Sequence, residues 1–178
     1  MSAILKEKMT ILTNLLERRF LTTQVAENAL GFTYLSGPIA FDCKIEVDLN
    51  SKSLYLTATL GLPFAEENQL TALEWCNCMN EKLYTGHFAV NPDTGHLKWL
   101  SGLYFWKQDL TERIMRTLIE SSILTIDHYL ASLLYVFNGN AEGEDFQPAL
   151  ALLGKDLGIG VSKSCHYTVE KHPSIERP

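Results

Sequence analysis

The stretch 41-FDCKIEVDLNSKSLYLTATL-60 decides the fold, because it contains two runs in which apolar and polar residues alternate. In the first run every second residue from Phe41 to Leu49 is apolar, and all the residues between them are charged. This alternation predicts a β-strand with one face buried and the other face in water. Residues 50–52, Asn-Ser-Lys, have the chemistry of a turn, and a second alternating run begins at Leu54. The stretch therefore predicts an antiparallel hairpin, around which the rest of the sheet is built.

A second hairpin is predicted at 86-GHFAVNPDTGHLKW-99. Residues 91–95 contain proline, which fixes φ, aspartate, which can cap a turn, and glycine, which permits positive φ. The return strand is unusual because both of its faces become apolar after Trp99. One face carries Ser101, Leu103 and Phe105, and the other carries Leu100, Tyr104 and Trp106. Since a strand with one face in water should not show this pattern, the second face is expected to lie under the long final helix or to contact another chain.

Helical periodicity predicts three α-helices outside these hairpins. The first covers residues 2–18, and the second covers 65–83. The third begins at Asp109 or Thr111, within a capping-box pattern, and ends at Asn138-Gly139. The apolar stripe of the second helix is predicted to contain Leu70, Leu73, Cys76 and Leu83. The stripe of the third is predicted to contain Ile119, Ile123, Ile126, Leu130, Leu133, Leu134 and Phe137.

Two weaker signals complete the predicted order of elements. Residues 32–36 predict a short strand before the first hairpin, and 144–153 predict a short helix after the third. The order is then α-β-β-β-α-β-β-α, which is an α+β fold with an antiparallel sheet. Residues 1–153 are predicted to form a single domain. Residues 154–178, which contain several glycines and prolines, are predicted to be a flexible C-terminal tail.

The composition excludes some classes of partner. The chain has 178 residues, 46% of them hydrophobic and 20% charged, which is enough for one domain with a real core. A formal net charge of −6 and the lack of any run of Lys or Arg argue against nucleic acid and against an anionic membrane. The N-terminus lacks the uninterrupted apolar stretch of a signal peptide, and nothing approaches the ~20 apolar residues of a membrane span. Four scattered cysteines predict reduced thiols and a cytoplasmic location.

The two histidines of the second hairpin are the first candidate for chemistry. His87 and His96 lie on facing strands, so they could be cross-strand neighbours that bind zinc together with Cys76 or Cys78. Zinc requires four N, S or O ligands, or three and a water, and the two cysteines are two residues apart on a predicted helix, where they diverge. A metal-dependent enzyme centred on these histidines is therefore the alternative hypothesis. The favoured interpretation is a pair of solvent-facing histidines beside a turn.

Other catalytic patterns are weak, and the sequence predicts no cofactor. The chain has neither a G-x-S-x-G nucleophile motif nor a glycine-rich phosphate loop. Asp127 and His128 are adjacent on a predicted helix, so they do not face one another as a catalytic dyad would. The acidic row of the first hairpin is interpreted as a solvated sheet face, with a site for a cation or a basic peptide as the alternative; it consists of Asp42, Glu46 and Asp48.

The remaining candidate is a contact surface formed by large side chains that have no obvious internal role. Aromatic residues are enriched where proteins meet. The alternative is that the long helix or the tail covers these side chains. The predicted surface for a partner or for a homodimer consists of Leu100, Tyr104, Trp106 and Trp75.

A family resemblance follows from the order of elements and from residues between Asn80 and Leu150. The matching positions are Asn80, Gly86 and Phe88, the turn at Asp93 and Gly95, the apolar return strand, Leu110 to Glu112, Asp127, Leu130 to Gly139, and Ala149-Leu150. With them the chain resembles the YbjN family of bacterial proteins assigned to sensory transduction regulation. The order of elements is that of the type III secretion chaperone-like fold.

The resemblance implies a cytoplasmic, non-enzymatic protein, often dimeric, that acts by binding other proteins in a regulatory or chaperone-like role. It implies no site residues. Type III secretion chaperones share the fold and an acidic character, and they bind an extended segment of a secreted protein. A secretion chaperone for an effector is therefore an alternative function.

Overall fold

The chain folds into a six-stranded antiparallel sheet with three α-helices, as seen in a computed structural model that describes residues 2–106 and 108–137. A short 3-10 helix, Glu66–Asn68, precedes the second α-helix. The elements in chain order are α1 (Ala3–Leu16), β1 (Thr22–Ala26), β2 (Ala29–Ser36), β3 (Ile39–Asp48), β4 (Ser53–Leu60), α2 (Gln69–Asn80), β5 (His87–Val90), β6 (Leu97–Tyr104) and α3 (Glu112–Phe137). The predicted α+β class and antiparallel sheet are confirmed, with one more strand than the sequence predicted.

The sheet has the strand order β1-β2-β3-β4-β6-β5. The decisive hairpin is β3–β4, in which Phe41 pairs with Leu60 and Asp48 with Ser53. The return strand β6 then pairs with both β4 and β5, and Trp99 lies between Ala58 and Phe88. Most apolar residues of strands β2 to β6 point to one side, where all three helices pack to form the core. The other side, which we call the open face, carries no described helix.

Two strands differ from their predicted extent. The segment before the first hairpin, in which only a short strand at 32–36 was predicted, is itself a hairpin. In it Thr22 pairs with Phe32, and Gln24 pairs with Leu30. Strand β1 was not predicted, because it is an edge strand whose residues are almost all exposed and so show no apolar alternation. The predicted helix end at Asn138-Gly139, the short helix at 144–153 and the tail at 154–178 lie outside the described residues.

The first residue of α3 is set by Thr111, whose Oγ1 accepts a hydrogen bond from the N–H of Ile114 at 3.4 Å. The alternative start at Asp109 is wrong. The Asp109 carboxylate instead accepts a hydrogen bond from Nζ of the buried Lys8, at 2.9 Å, which joins α1 to the segment before α3. The apolar stripe of α3 was predicted correctly where its side chains are described, and Ile119, Ile126 and Leu133 are buried.

The apolar stripe of α2 was predicted correctly at Cys76 and wrongly at Leu70 and Leu73, and Leu83 lies beyond the end of the helix. Leu70 and Leu73 are exposed, and the buried positions are Ala72, Trp75, Cys76 and Met79, which follow the i, i+3, i+4, i+7 spacing of a helix face. The face of α2 that packs into the core is therefore different from the face that the sequence predicted.

This difference corrects the assignment of Trp75 to a partner surface. Trp75 is fully buried, its ring centroid lies 4.9 Å from that of Phe88, and its Nε1 donates a hydrogen bond to Oγ of Ser132 at 3.1 Å. Since both the ring and the N–H find partners inside the fold, Trp75 belongs to the core.

Asn80 protects the edge of the sheet formed by β5. Its Nδ2 donates to the carbonyl of Phe88 at 2.9 Å, and its Oδ1 accepts from the N–H of Phe88 at 2.7 Å. The amide thus makes the pair of hydrogen bonds that a further strand would make. Gly86 has φ of +73°, and a Cβ there would collide with the ring of Trp99. The positions Asn80, Gly86 and Phe88 of the family resemblance are therefore explained by structure.

Asp127 joins α3 to β2. Its carboxylate accepts hydrogen bonds from the hydroxyl groups of Tyr34 and Ser36, on the helical side of the strand. His128 packs edge-on against Tyr129, with ring centroids 4.8 Å apart. The two adjacent residues thus serve separate structural contacts. Burial, together with the hydrogen bond to Asp127, raises the pKa of Tyr34 to about 12.

Replacing Asn80 is expected to destabilise the fold, since Asn80→Ala removes both partners from the main chain of Phe88. The expected loss in the free energy of unfolding is about 1–3 kcal/mol. Asn77→Ala is the matched control, because Asn77 is exposed on the same helix. Urea unfolding of both variants measures the difference, and equal losses would contradict the protective role of Asn80.

The raised pKa of Tyr34 predicts a loss of stability at alkaline pH. An unfolded chain ionises this tyrosine near its ordinary pKa of 10.0, whereas the folded protein holds the proton until about 12. The tyrosine therefore stabilises the fold fully below pH 10, and this contribution is lost as the pH rises towards 12. Tyr34→Phe should make the fall in the free energy of unfolding less steep over that interval. Urea unfolding at several pH values tests this, and an unchanged slope would contradict it.

Candidate surface for a protein partner

Three aromatic side chains lie together on the open face, and we call them the aromatic cluster: Tyr55 on β4, Tyr104 at the end of β6, and Trp106 just after it. The rings of Tyr104 and Trp106 are stacked, with centroids 5.9 Å apart and planes at 21°. Tyr55 meets Tyr104 edge-on at 6.4 Å. The exposed fractions of Tyr55, Tyr104 and Trp106 are 41%, 61% and 68%. The cluster is thus an ordered apolar surface that remains in contact with water.

Gly102 explains why the ring of Tyr55 can lie flat on the sheet. Tyr55 pairs with Gly102 across β4 and β6, and Leu103, the next residue, points to the helical side. A Cβ at Gly102 would lie 2.6 Å from Cδ1 of Tyr55 and 3.0 Å from Cε1. The missing side chain therefore makes the space in which the ring rests, an arrangement in which an aromatic residue covers a strand glycine.

The hydroxyl groups of the cluster are linked to each other. The oxygens of Tyr55 and Tyr104 are 3.2 Å apart, within hydrogen-bonding distance. When Tyr55 ionises, the Tyr104 hydroxyl donates to its phenolate, which lowers the pKa of Tyr55 and raises the pKa of Tyr104. The link orients both rings without burying them.

Leu100 lies on the same face, one row away from the cluster. It pairs with Thr57 on one side and with His87 on the other, and it is half-buried. The structure therefore brings three of the four predicted contact residues to one face: Leu100, Tyr104 and Trp106. The sequence did not indicate Tyr55, because only the pairing of β4 with β6 places it beside Tyr104, and α2 and β5 separate these two strands in the chain. The signal that could have identified Tyr55 is an aromatic residue on the side of β4 that is otherwise polar.

The acidic row borders the cluster, and two of its members have structural roles. Glu46 pairs with Tyr55 across the strands and accepts a hydrogen bond from Nζ of Lys44 at 2.6 Å, which lowers the pKa of its carboxyl group. Asp48 caps the β3–β4 turn by accepting hydrogen bonds from Ser51 and from the N–H of Asn50, and these lower its pKa. A bound cation is not needed to explain either residue.

The two histidines of the second hairpin are not neighbours. His87 pairs with Leu100, whereas His96 lies beside Asn91 at the other end of the hairpin. Four positions along a strand separate their registers by roughly 13 Å. The two histidines cannot bind one ion, so the hypothesis of a metal site centred on both of them is wrong. Within residues 2–106 and 108–137, no group of three or more His, Cys, Asp or Glu side chains is placed to hold a metal.

The hairpin itself was predicted correctly, with one change in its capping residue. Gly95 has φ of +67°, and its N–H donates to the carbonyl of Asn91 at 2.8 Å. The side chain that caps the turn is that of Asn91, whose Oδ1 accepts from the N–H of Asp93 at 2.9 Å. Backbone geometry thus accounts for the residues of this turn without a role for the histidines.

The sheet with a single layer of helices belongs to the YbjN-like class of folds. E. coli YbjN, described as a candidate transcription regulator, has a crystal structure that matches with a TM-score of 0.52. The two sequences are 13% identical, and the match covers 76% of this chain and 90% of YbjN. At this identity the match shows the fold, and it confirms the expected YbjN-like architecture.

Two sequence comparisons give no match. The chain matches no family model, and the search of curated proteins finds no match. A search of the described helices finds none long and apolar enough to cross a membrane.

Replacing Gly102 is expected to show the coupling between this glycine and Tyr55. Gly102→Ala should destabilise the protein by about 1–3 kcal/mol, because the new methyl group displaces the ring. In a Tyr55→Ala background the same change should cost much less, because the ring is gone and only the carbonyl oxygen of Leu54, 3.2 Å from the new Cβ, must move slightly. Urea unfolding of the four proteins completes the double-mutant cycle, and additive effects would contradict the packing of Tyr55 on Gly102.

Proposed function

We propose that the chain is a non-enzymatic protein-binding module, regulatory or chaperone-like, that binds its partner through the open face of the sheet. The contact centre is the aromatic cluster, with Leu100 beside it. The observation that carries this proposal is the exposure of three adjacent rings, one of them a tryptophan, in a fold that fully buries its other two tryptophans. Trp75, Trp99 and Phe41 are each no more than 1% exposed.

The physical basis is the energy that such rings yield on burial. Trp and Tyr provide large rigid surfaces, and they are the residues most often found at the energetic centre of protein interfaces. The hydrogen bond between Tyr55 and Tyr104, and the stacking of Tyr104 on Trp106, hold the rings in place before binding. Less conformational entropy is then lost in the complex.

The chemistry of the partner follows from the surroundings of the cluster. Glu46 and Asp48 lie on the neighbouring strand, and the whole chain carries a net charge of −6. Arginine side chains can stack on Trp and Tyr rings and pair with carboxylates at the same time. We therefore propose a partner segment with apolar and arginine side chains. The similarity to YbjN, described as a candidate transcription regulator, supports a regulatory role.

The expected compartment is the cytoplasm. In the described part of the chain, no disulfide bond is formed by Cys43, Cys76 or Cys78. Burial raises the pKa of both Cys43 and Cys76 to about 12, so these thiols resist ionisation and oxidation. The secretion-chaperone alternative would use the same surface, and the identity of the partner distinguishes it, because that function requires a secreted protein.

The test replaces two of the exposed rings. The partner is first identified by affinity capture from the native lysate with the full chain, and then purified. Tyr104→Ser with Trp106→Ser should weaken its binding at least about tenfold, as expected for central interface residues. Isothermal titration calorimetry measures the affinity.

The control is Tyr84→Ser, because Tyr84 is a fully exposed tyrosine outside the cluster. This variant should bind the partner as the original chain does. Far-UV circular dichroism and urea unfolding establish whether the double variant keeps its fold. If the double variant unfolds, the rings are part of the packing, and the proposed contact surface is wrong. Unchanged affinity would have the same meaning.

A further inference from the structure

Trp106 is the one ring of the aromatic cluster that lies outside the sheet, and its place depends on the turn that follows β6. The N–H of Phe105 donates to the carbonyl of Lys52 at 2.8 Å, which fixes the beginning of the turn. The N–H of Gln108 donates to the carbonyl of Phe105 at 3.3 Å and closes the chain around Trp106. Trp106 is 68% exposed and stacks on Tyr104. Since the core does not enclose this ring, its position depends on how firmly the two ends of the turn are held.

The far end of the turn is held by an ion pair from another element. Nζ of Lys8, on α1, donates to the carboxylate of Asp109 at 2.9 Å and to that of Glu7 at 3.3 Å. The contact with Asp109 joins residues 101 positions apart in the chain, immediately before Leu110, which is buried. The hydrogen bond between them raises the pKa of Lys8 and lowers the pKa of Asp109, so both groups are charged at neutral pH.

Burial alone does not explain a lysine at position 8. Lys8 is 5% exposed, and the other buried residues of α1 are all apolar: Met9, Leu12, Leu15 and Leu16. A methionine would fill nearly the same space, and buried ion pairs can often be replaced by apolar residues without loss of stability. The side chain of Asp109 is 72% exposed, so the pair itself adds little stability. What the lysine adds is a fixed direction for the Asp109 side chain and for the backbone beside it.

We propose that Lys8 is a positioning residue of the partner surface, because its ion pair with Asp109 fixes the turn that holds Trp106 against Tyr104. Lys8 belongs to α1, which packs on the other side of the sheet, so its effect on binding is exerted through the turn. A turn that is ordered before binding loses less conformational entropy in the complex. The effect on affinity rests on the proposed function, whereas the effect on the position of Trp106 does not.

The test follows the ring of Trp106 by fluorine NMR of the full chain labelled with fluorotryptophan. Trp106→Phe identifies its signal, and the two buried tryptophans serve as internal references for the core. Lys8→Met should move the Trp106 signal towards the position that it has in Tyr104→Ala, where the stack is lost, and should leave the two core signals unchanged. Lys8→Arg can pair with Asp109 again, so it should keep the Trp106 signal in place.

Three comparisons separate positioning from a general loss of stability. Lys6→Met is the matched control, because Lys6 is exposed on the same helix, and it should leave every signal unchanged. Asp109→Asn should move the Trp106 signal as Lys8→Met does, and the two changes together should add nothing further, since both remove the same ion pair. Urea unfolding of Lys8→Met should show a midpoint within about 0.5 M of that of the original chain.

Two results would overturn the proposal. A Trp106 signal that stays in place in Lys8→Met would show that Phe105 and Leu110 hold the turn without the ion pair. A large fall in the urea midpoint, with all three tryptophan signals displaced, would show that the whole fold requires the lysine.

The affinity for the identified partner separates this proposal from the proposed function. Lys8→Met should weaken binding about two- to tenfold, the cost of ordering one further side chain on binding. Unchanged affinity with a displaced Trp106 would contradict the proposed contact surface. Conversely, the proposed role of Lys8 alone would be wrong if Lys8→Met left the Trp106 signal in place while the Tyr104→Ser and Trp106→Ser double variant lost the partner.

Discussion

All three helices pack on one side of the six-stranded sheet, and this one-sided burial governs the sequences of strands β2 to β6. Each strand must present apolar side chains to the helices and water-tolerant side chains to the other face. The alternation from Phe41 to Leu60 meets this requirement in its simplest form, with Thr and charged residues outward except at Tyr55. The open face is therefore mostly polar, and an apolar group on it is a departure that requires its own explanation.

The aromatic cluster is such a departure, and its construction separates it from a chance exposure. Tyr55 rests on Gly102, its hydroxyl is linked to that of Tyr104, and Tyr104 stacks on Trp106. These three contacts hold the rings in place. None of the rings is buried, so packing in the core contributes little to their order. A fold that only needed to cover the sheet could use Thr at these positions, as it does at Thr57 and Thr59 on the same strand. The ordering of the rings is consistent with a surface prepared for contact.

The sequence predicted the parts of this fold in which local periodicity and tertiary burial agree. Both central hairpins and the long helix follow from alternation and from the Ile119 to Leu133 stripe. The predictions from the sequence failed where burial is weak or where several residues could form the buried face of the same helix. Strand β1 is exposed and has no apolar alternation. In α2, Leu70 and Leu73 suggested one buried face, whereas the face that is buried contains Trp75, which packs against Phe88. For the site, Leu100, Tyr104 and Trp106 could be found on one strand, but Tyr55 depends on a pairing between β4 and β6 that no local pattern encodes.

The edge of the sheet that Asn80 closes is the one nearest the aromatic cluster. Four strand spacings separate β1 from β6, or roughly 19 Å, so the β1 edge lies away from the aromatic cluster. The β5 edge lies next to β6, and a strand added there would compete for space near Leu100 and the cluster. Asn80 closes that edge with a side chain, whereas β1, the edge far from the cluster, keeps its backbone groups available. Protecting the near edge therefore keeps a further strand away from the surface that the proposed partner would use.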